Sequence, residues 1–277
     1  MYKIGKNAGK KWMAAVMAAL VTVAAAAGCG KTDKAGAEER KERNSITVAA
    51  SSDTGSMDPA GSIALTYLTY SVSALDELLT FDADGEIDYR AAESYEVNED
   101  STVWTFHLRE EAVWSDGTPV TSADFLNTMT RALDPKSGSG YANYLFPIRN
   151  AEAIYNGEME SGELGVETPD DYTLIFYLEK PCVYFLDLLR LPVYTPSCST
   201  YAKETGSGWD TDPKTSVSNG PFYLVEYVPE QYMTLKKNES YWNADAVSLD
   251  EITYRFFDSQ EAMLYAYESG EADAATG

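Results

Sequence analysis

From residue 102 the chain alternates strictly between polar and apolar positions: Thr102-Val103-Trp104-Thr105-Phe106-His107-Leu108-Arg109. A period of two predicts a strand with Trp104, Phe106 and Leu108 on a buried face, and Thr105, His107 and Arg109 on the other. Ile46–Ala50 predicts an earlier strand, which runs into the small polar residues 51–56. After Met57-Asp58-Pro59, Leu68, Val72, Leu75, Leu78 and Leu79 recur at helical spacing and predict a helix over Leu65–Leu79. Phe81–Ile87 predicts a hairpin that turns at Asp84-Gly85, and Asp116-Gly117 a second tight turn. Thr121 then suits a helix N-cap. Asp124 stands three residues on, where it also meets the positive end of the helix dipole. Phe125, Met129 and Ala132 or Leu133 give that helix its apolar face, and it stops before Asp134-Pro135.

Further along, Asp171–Leu178 reads as a strand, and Pro181 opens a helix through Val183–Leu189. Phe222–Tyr227 and Tyr232–Lys237 read as paired strands and Ile252–Phe257 as another. A last helix runs from Ser259 to Glu268 and ends at Gly270. Residues 136–144 form a Gly/Ser-rich loop carrying Tyr141 and Tyr144, and residues 203–218 are polar and loop-like. Strands and helices mixed in this way, with many hairpins and no internal repeat, define an α/β (mixed α+β) class.

The N-terminus carries a different pattern. Lysines at positions 3, 6, 10 and 11 precede an apolar, Ala-rich run from Trp12 to Ala27. This predicts a secretory signal peptide over 1–28, too short for a comfortable transmembrane span. The run ends Ala26-Ala27-Gly28-Cys29, which resembles the bacterial lipobox, with Ala26 where Leu is preferred. That resemblance implies lipidation at Cys29. Residues 29–45 follow as a polar tether with too little apolar surface to fold. Cys182 and Cys198 lie in a segment expected outside the cytoplasm, where a disulfide between them is permitted; the spacing leaves bond and free thiols both open.

Charge narrows the function classes. There are 44 acidic and 21 basic residues, a net charge of −23, which argues against a nucleic-acid partner or a polybasic membrane patch. His107 is the single histidine, so imidazole metal sites and His-based catalysis have little to work with. The Asp82/Asp84 pair lacks the loop that calcium needs and reads as a turn. No cofactor, metal or enzymatic activity is expected. The 20 tyrosines and 5 tryptophans are many for this length and suit a surface that grips a ligand.

Four segments in order, 104–125 (WTFHLREEAVWSDGTPVTSADF), 163–181 (ELGVETPDDYTLIFYLEKP), 217–227 (VSNGPFYLVEY) and 235–243 (LKKNESYWN), resemble the solute-binding proteins of bacterial peptide ABC importers (extracellular family 5), above all the oligopeptide-binding branch. Locally, Gly220-Pro221 reads as a sharp bend and Tyr241-Trp242 as an aromatic pair closing a core edge. The resemblance implies a periplasmic-binding-protein-like two-lobed fold. Residues 46–76 plus 201–277 would be the core of the first lobe, and 77–200 its inserted subdomain. The second lobe would be absent. It implies capture of oligopeptides outside the cell by a monomeric lipoprotein on the outer face of the cytoplasmic membrane, and delivery to permease subunits. Peptide would be held in extended form through its main chain. The candidate contacts are Tyr141 and Asn143 in one loop, and the backbone of Ile63, Ala64 and Leu65 in another. Some relatives carry an acidic residue near Ile63 or Ala64, and this chain does not. Three other readings stay open: another ligand (oligosaccharide, haem or a nickel complex), a peptide-sensing surface protein, and the non-functional product of an interrupted gene.

Overall fold

The computed structural model describes residues 44–51, 53, 55–61, 70, 73–203 and 207–276. Expectations for the signal peptide, Cys29, the tether and Ile63, Ala64 and Leu65 lie outside the described residues.

Two sheets organise the chain. The first has five strands in the order β11-β1-β10-β9-β8: β1 (Ser45–Ala50), β8 (Phe222–Val228), β9 (Tyr232–Lys237), β10 (Glu251–Phe256) and β11 (Ala274–Thr276). β1 is parallel to both of its neighbours, β10 and β11. It therefore lies inside the sheet and needs cover on both faces. On one face Val48 and Ala50 join Met57, Tyr70, Leu224, Leu235 and Tyr254 in an apolar cluster. On the other, Ala49 packs against Met263, Ala266 and Ala272, at and just beyond the helix Gln260–Glu268. Ser259 caps that helix by accepting the Ala262 N–H at 3.1 Å, and Gly270 follows it at φ +77°, both as the sequence implies.

The second sheet has four antiparallel strands in the order β4-β5-β7-β6: β4 (Ala92–Val97), β5 (Val103–Leu108), β6 (Val166–Asp170) and β7 (Thr173–Tyr177). β5 buries Trp104, Phe106 and Leu108 as its alternation requires, while His107 faces outward with Glu96 at 4.0 Å. Phe106, Phe176, Phe185 and Tyr194 pack edge-on in sequence, with centroids 5.3–6.0 Å apart. α1 (Ser122–Ala132) lies against this sheet; its Ser122 hydroxyl donates to the Asp170 carbonyl at 2.7 Å. Phe125, Met129, Ala132 and Leu133 are completely buried. A separate hairpin, β2 (Leu79–Phe81) with β3 (Ile87–Tyr89), turns at Gly85, φ +83°.

Two expectations need correction, and one left open is decided. The helix over Leu65–Leu79 overruns: Leu75–Glu77 are not helical, and Leu79 already pairs with Tyr89 in the hairpin. Leu78 and Leu79 are apolar because they fill the core around the hairpin, so their helical spacing is coincidental. The helix expected over Val183–Leu189 shrinks to one turn, Phe185–Leu188, with Val183 almost fully exposed. Cys182 and Cys198 are free thiols, both buried in the same apolar cluster. They behave as small hydrophobic residues, and burial pushes the Cys198 thiol up.

Candidate functional site

α1 ends at Ala132 with Leu133 as its C-cap, and Ser137 ties the following turn back to it by donating to the Ala132 carbonyl at 2.9 Å. The loop beyond winds into a 3-10 turn at Ala142–Leu145. Ala142 and Leu145 point into the core, which turns Asn143 and Tyr144 outward and leaves Tyr141 half-buried. Tyr141 packs on the core cluster, and its ring lies 5.8 Å from that of Tyr144. The buried Tyr194 hydroxyl holds the loop by donating to the Tyr144 carbonyl at 2.9 Å. Among the described residues nothing hydrogen-bonds the Tyr141 hydroxyl or the Asn143 amide. Two polar groups are thus presented on a braced loop.

The other candidate segment, Ile63–Leu65, lies outside the described residues, and the run before it, Ser56–Gly61, is pinned. Asp58 is buried and takes a two-pronged ion pair from Arg131 in the last turn of α1, at 2.6 and 2.8 Å. Asp58 also accepts the Ala60 N–H at 3.0 Å and the Trp209 indole N–H at 3.4 Å. Asp210, equally buried, accepts from the Ser56 hydroxyl at 2.6 Å and from the N–H groups of Met57 and Asp58 at 2.5 and 3.0 Å. Arg131 donates further to the Ser197 hydroxyl at 2.9 Å, which pairs with Thr128 at 2.7 Å. Sequence reading missed this network. A signal was present: Asp124, Thr128 and Arg131 recur at helical spacing, and all three are buried polar side chains on α1.

A second buried network joins the 74–77 and 217–220 segments. Gly220 N–H donates to the Ala74 carbonyl at 3.0 Å, and Asn219 exchanges two 3.0 Å bonds with the Asp76 backbone. The Ser218 hydroxyl also donates to the Ala74 carbonyl. The Asp76 carboxylate accepts from the Tyr241 hydroxyl at 2.8 Å and the Trp242 indole at 3.1 Å. Burial pushes the Asp76 carboxyl above the usual carboxylate range, against the pull of these two donors and Arg90. Tyr241-Trp242 therefore anchors a buried carboxylate, beyond closing a core edge; Arg109 lies over the Trp242 ring at 3.9 Å.

Among the described residues this arrangement offers hydrogen-bonding side chains on a braced loop. Comparison with known proteins agrees with a binding role. A model of "Bacterial extracellular solute-binding proteins, family 5 Middle" matches residues 86–277. The chain belongs to that family of solute-binding proteins. The periplasmic oligopeptide-binding protein OppA of Escherichia coli is 34% identical over 263 residues, which is 94% of this chain and 47% of that protein. The probable deoxycholate-binding periplasmic protein YgiS of Escherichia coli is 33% identical over 224 residues, 80% of this chain and 42% of YgiS. The structure of Burkholderia pseudomallei OppA superposes with a TM-score of 0.78 at 33% identity, covering 84% of this chain and 46% of that one. The chain thus spans about half the length of the curated relatives it matches.

Proposed function

We propose that this chain is the N-terminal half of an extracytoplasmic lipoprotein that captures oligopeptides and hands them to an ABC importer. The observation that carries the reading is the braced Tyr141–Tyr144 loop, with the Tyr141 hydroxyl and Asn143 amide free of partners among the described residues, in a chain 34% identical to an oligopeptide-binding protein. Tyr141 would hydrogen-bond the peptide main chain through its phenol, Asn143 through its amide, and Ile63, Ala64 and Leu65 through their backbone. Main-chain bonds give affinity with little sequence preference, as a general peptide scavenger needs.

In this reading residues 46–76 plus 201–277 form the core of the first lobe, and 77–200 its inserted subdomain. The division of strands supports it: one sheet draws on 45–50 and 222–276, the other on 92–177. The protein would be monomeric, cleaved after Gly28 and held to the outer face of the cytoplasmic membrane through lipidated Cys29. It would catalyse nothing and need no cofactor. Thermal denaturation of the full-length protein with a pool of tri- to pentapeptides tests it. A rise in Tm is expected; no rise with peptides would overturn it. The likeness to YgiS favours one second reading, an amphipathic steroid acid as ligand, so deoxycholate is the parallel arm.

A further inference from the structure

The Tyr141 loop is hydrogen-bonded to the rest of the fold at one point. Among the described residues, the hydrogen bonds of 138–146 otherwise stay inside 137–148. Ser139 N–H donates to the Ser137 hydroxyl, and the N–H groups of Tyr144, Phe146 and Ile148 donate to the carbonyls of Tyr141, Asn143 and Leu145. Even the buried Ser139 hydroxyl has no hydrogen-bond partner. The exception is the Tyr194 hydroxyl, which donates to the Tyr144 carbonyl at 2.9 Å from 50 positions away. That carbonyl belongs to a four-residue 3-10 segment, whose own bonds are poorer than those of an α-helix. Ala142 and Leu145 hold the segment by apolar burial, which is non-directional. A hydrogen bond has a preferred length and angle, so it fixes the rotation that burial leaves free. Tyr194 is a firm origin for that bond. It is fully buried, its ring edge-on to Phe185 with centroids 6.0 Å apart and 6.2 Å from that of Phe176 in β7. Burial pushes its phenol up, so the hydroxyl keeps its proton and remains a donor. A phenylalanine would fill the same apolar space, so packing does not account for the hydroxyl.

We propose that Tyr194 is a positioning residue for ligand: its hydroxyl sets the Tyr144 turn, and through the neighbouring Tyr144 ring the Tyr141 phenol, without touching ligand itself. The inference rests on the peptide-binding reading and adds to it a residue that sets the site's geometry from within the core. Tyr194→Phe keeps the ring and removes the bond. In the full-length protein it is expected to bind about threefold to tenfold more weakly the peptide that stabilises the parent most. A general loss of packing would lower affinity whatever stands at 141, so the deciding test is a double-mutant cycle with Tyr141→Phe. With Tyr141→Phe already in place, Tyr194→Phe is expected to cost less than about twofold more, because the hydroxyl it positions is gone. Amide exchange of the ligand-free protein is followed in parallel. Faster exchange at Tyr144, Phe146 and Ile148 is expected, with the rest of the chain unchanged. Parental affinity in Tyr194→Phe, losses that multiply in the double variant, or exchange that stays unchanged in the loop would overturn the inference and leave the peptide reading intact. A parent that binds no peptide would overturn the peptide reading, and the ligand role of Tyr194 with it.

Discussion

Gly220 lies against the backbone of Ala74: a Cβ built at 220 would stand 2.7 Å from the Ala74 carbonyl carbon and oxygen, closer than real side chains approach. The glycine is required by this contact, since its φ is not in the left-handed region. Its N–H uses the proximity by donating to the Ala74 carbonyl at 3.0 Å. Gly220→Ala pushes rigid backbone against rigid backbone. It is expected to destabilise by about 1–3 kcal/mol, the range for overpacking. Urea denaturation should show a lower midpoint with an unchanged slope.

Asp76 makes stability depend on pH in an unusual sense. Burial raises its carboxyl, and it raises the neighbouring Glu77 in the same direction. The native state therefore holds these protons at pH values where the unfolded chain has released them. By linkage, their contribution falls as pH rises from the usual carboxylate range through the raised native values. Asp76→Asn cannot ionise and is expected to lose its share of that slope. Plotted against pH, the Tm of the parent minus that of the variant should decline as pH rises. A flat difference would contradict the assignment.

Asp124 serves two elements at once. Its carboxylate accepts from the Thr121 N–H at 2.9 Å at the start of α1, from the buried Trp114 indole at 3.1 Å and from the Ser199 N–H at 2.8 Å. Losing a cap costs about 1 kcal/mol, and orphaning a buried donor about 1–3 kcal/mol more. Asp124→Ala should therefore destabilise by about 2 kcal/mol or more. Asp124→Asn, which keeps an acceptor oxygen, should cost less. Chemical denaturation of the two variants side by side checks the order.

Tyr141→Phe removes only a hydroxyl that has no partner among the described residues. In the full-length protein its Tm is expected to match the parent within error, because the ring still packs on the core and on Tyr144. Peptide affinity should fall by about threefold to tenfold, the worth of one net hydrogen bond. Calorimetric titration measures the loss; equal affinity would remove Tyr141 from the site.

Much of this architecture was legible along the chain wherever one face of an element is buried. β5 announced itself through Trp104, Phe106 and Leu108, and α1 through Phe125, Met129 and its stop before Asp134-Pro135. β4 and β6 did not. Their sequences, AESYEV and VETPD, are mostly exposed and polar, and β6 contains Pro169, so alternation never shows. β11 is three residues long and exists through its pairing with β1. The Leu75, Leu78 and Leu79 spacing misled because core filling around a hairpin mimics a helical face. At the candidate site, the Tyr141 loop was visible as a Gly/Ser-rich stretch. The Asp58–Arg131 pair was not: the spacing of Asp124, Thr128 and Arg131 marks a polar stripe on α1, but the partner stands 73 positions away and local periodicity does not single out Asp58.

The central claim is capture of peptides of varied sequence. Native mass spectrometry of the full-length protein, extracted from envelopes of the source cell without unfolding, tests it most directly. The expected result is a spread of masses above that of the bare protein, collapsing to one mass on denaturation and releasing short peptides of many sequences. A single unliganded mass, or release of one non-peptide compound, would contradict the claim.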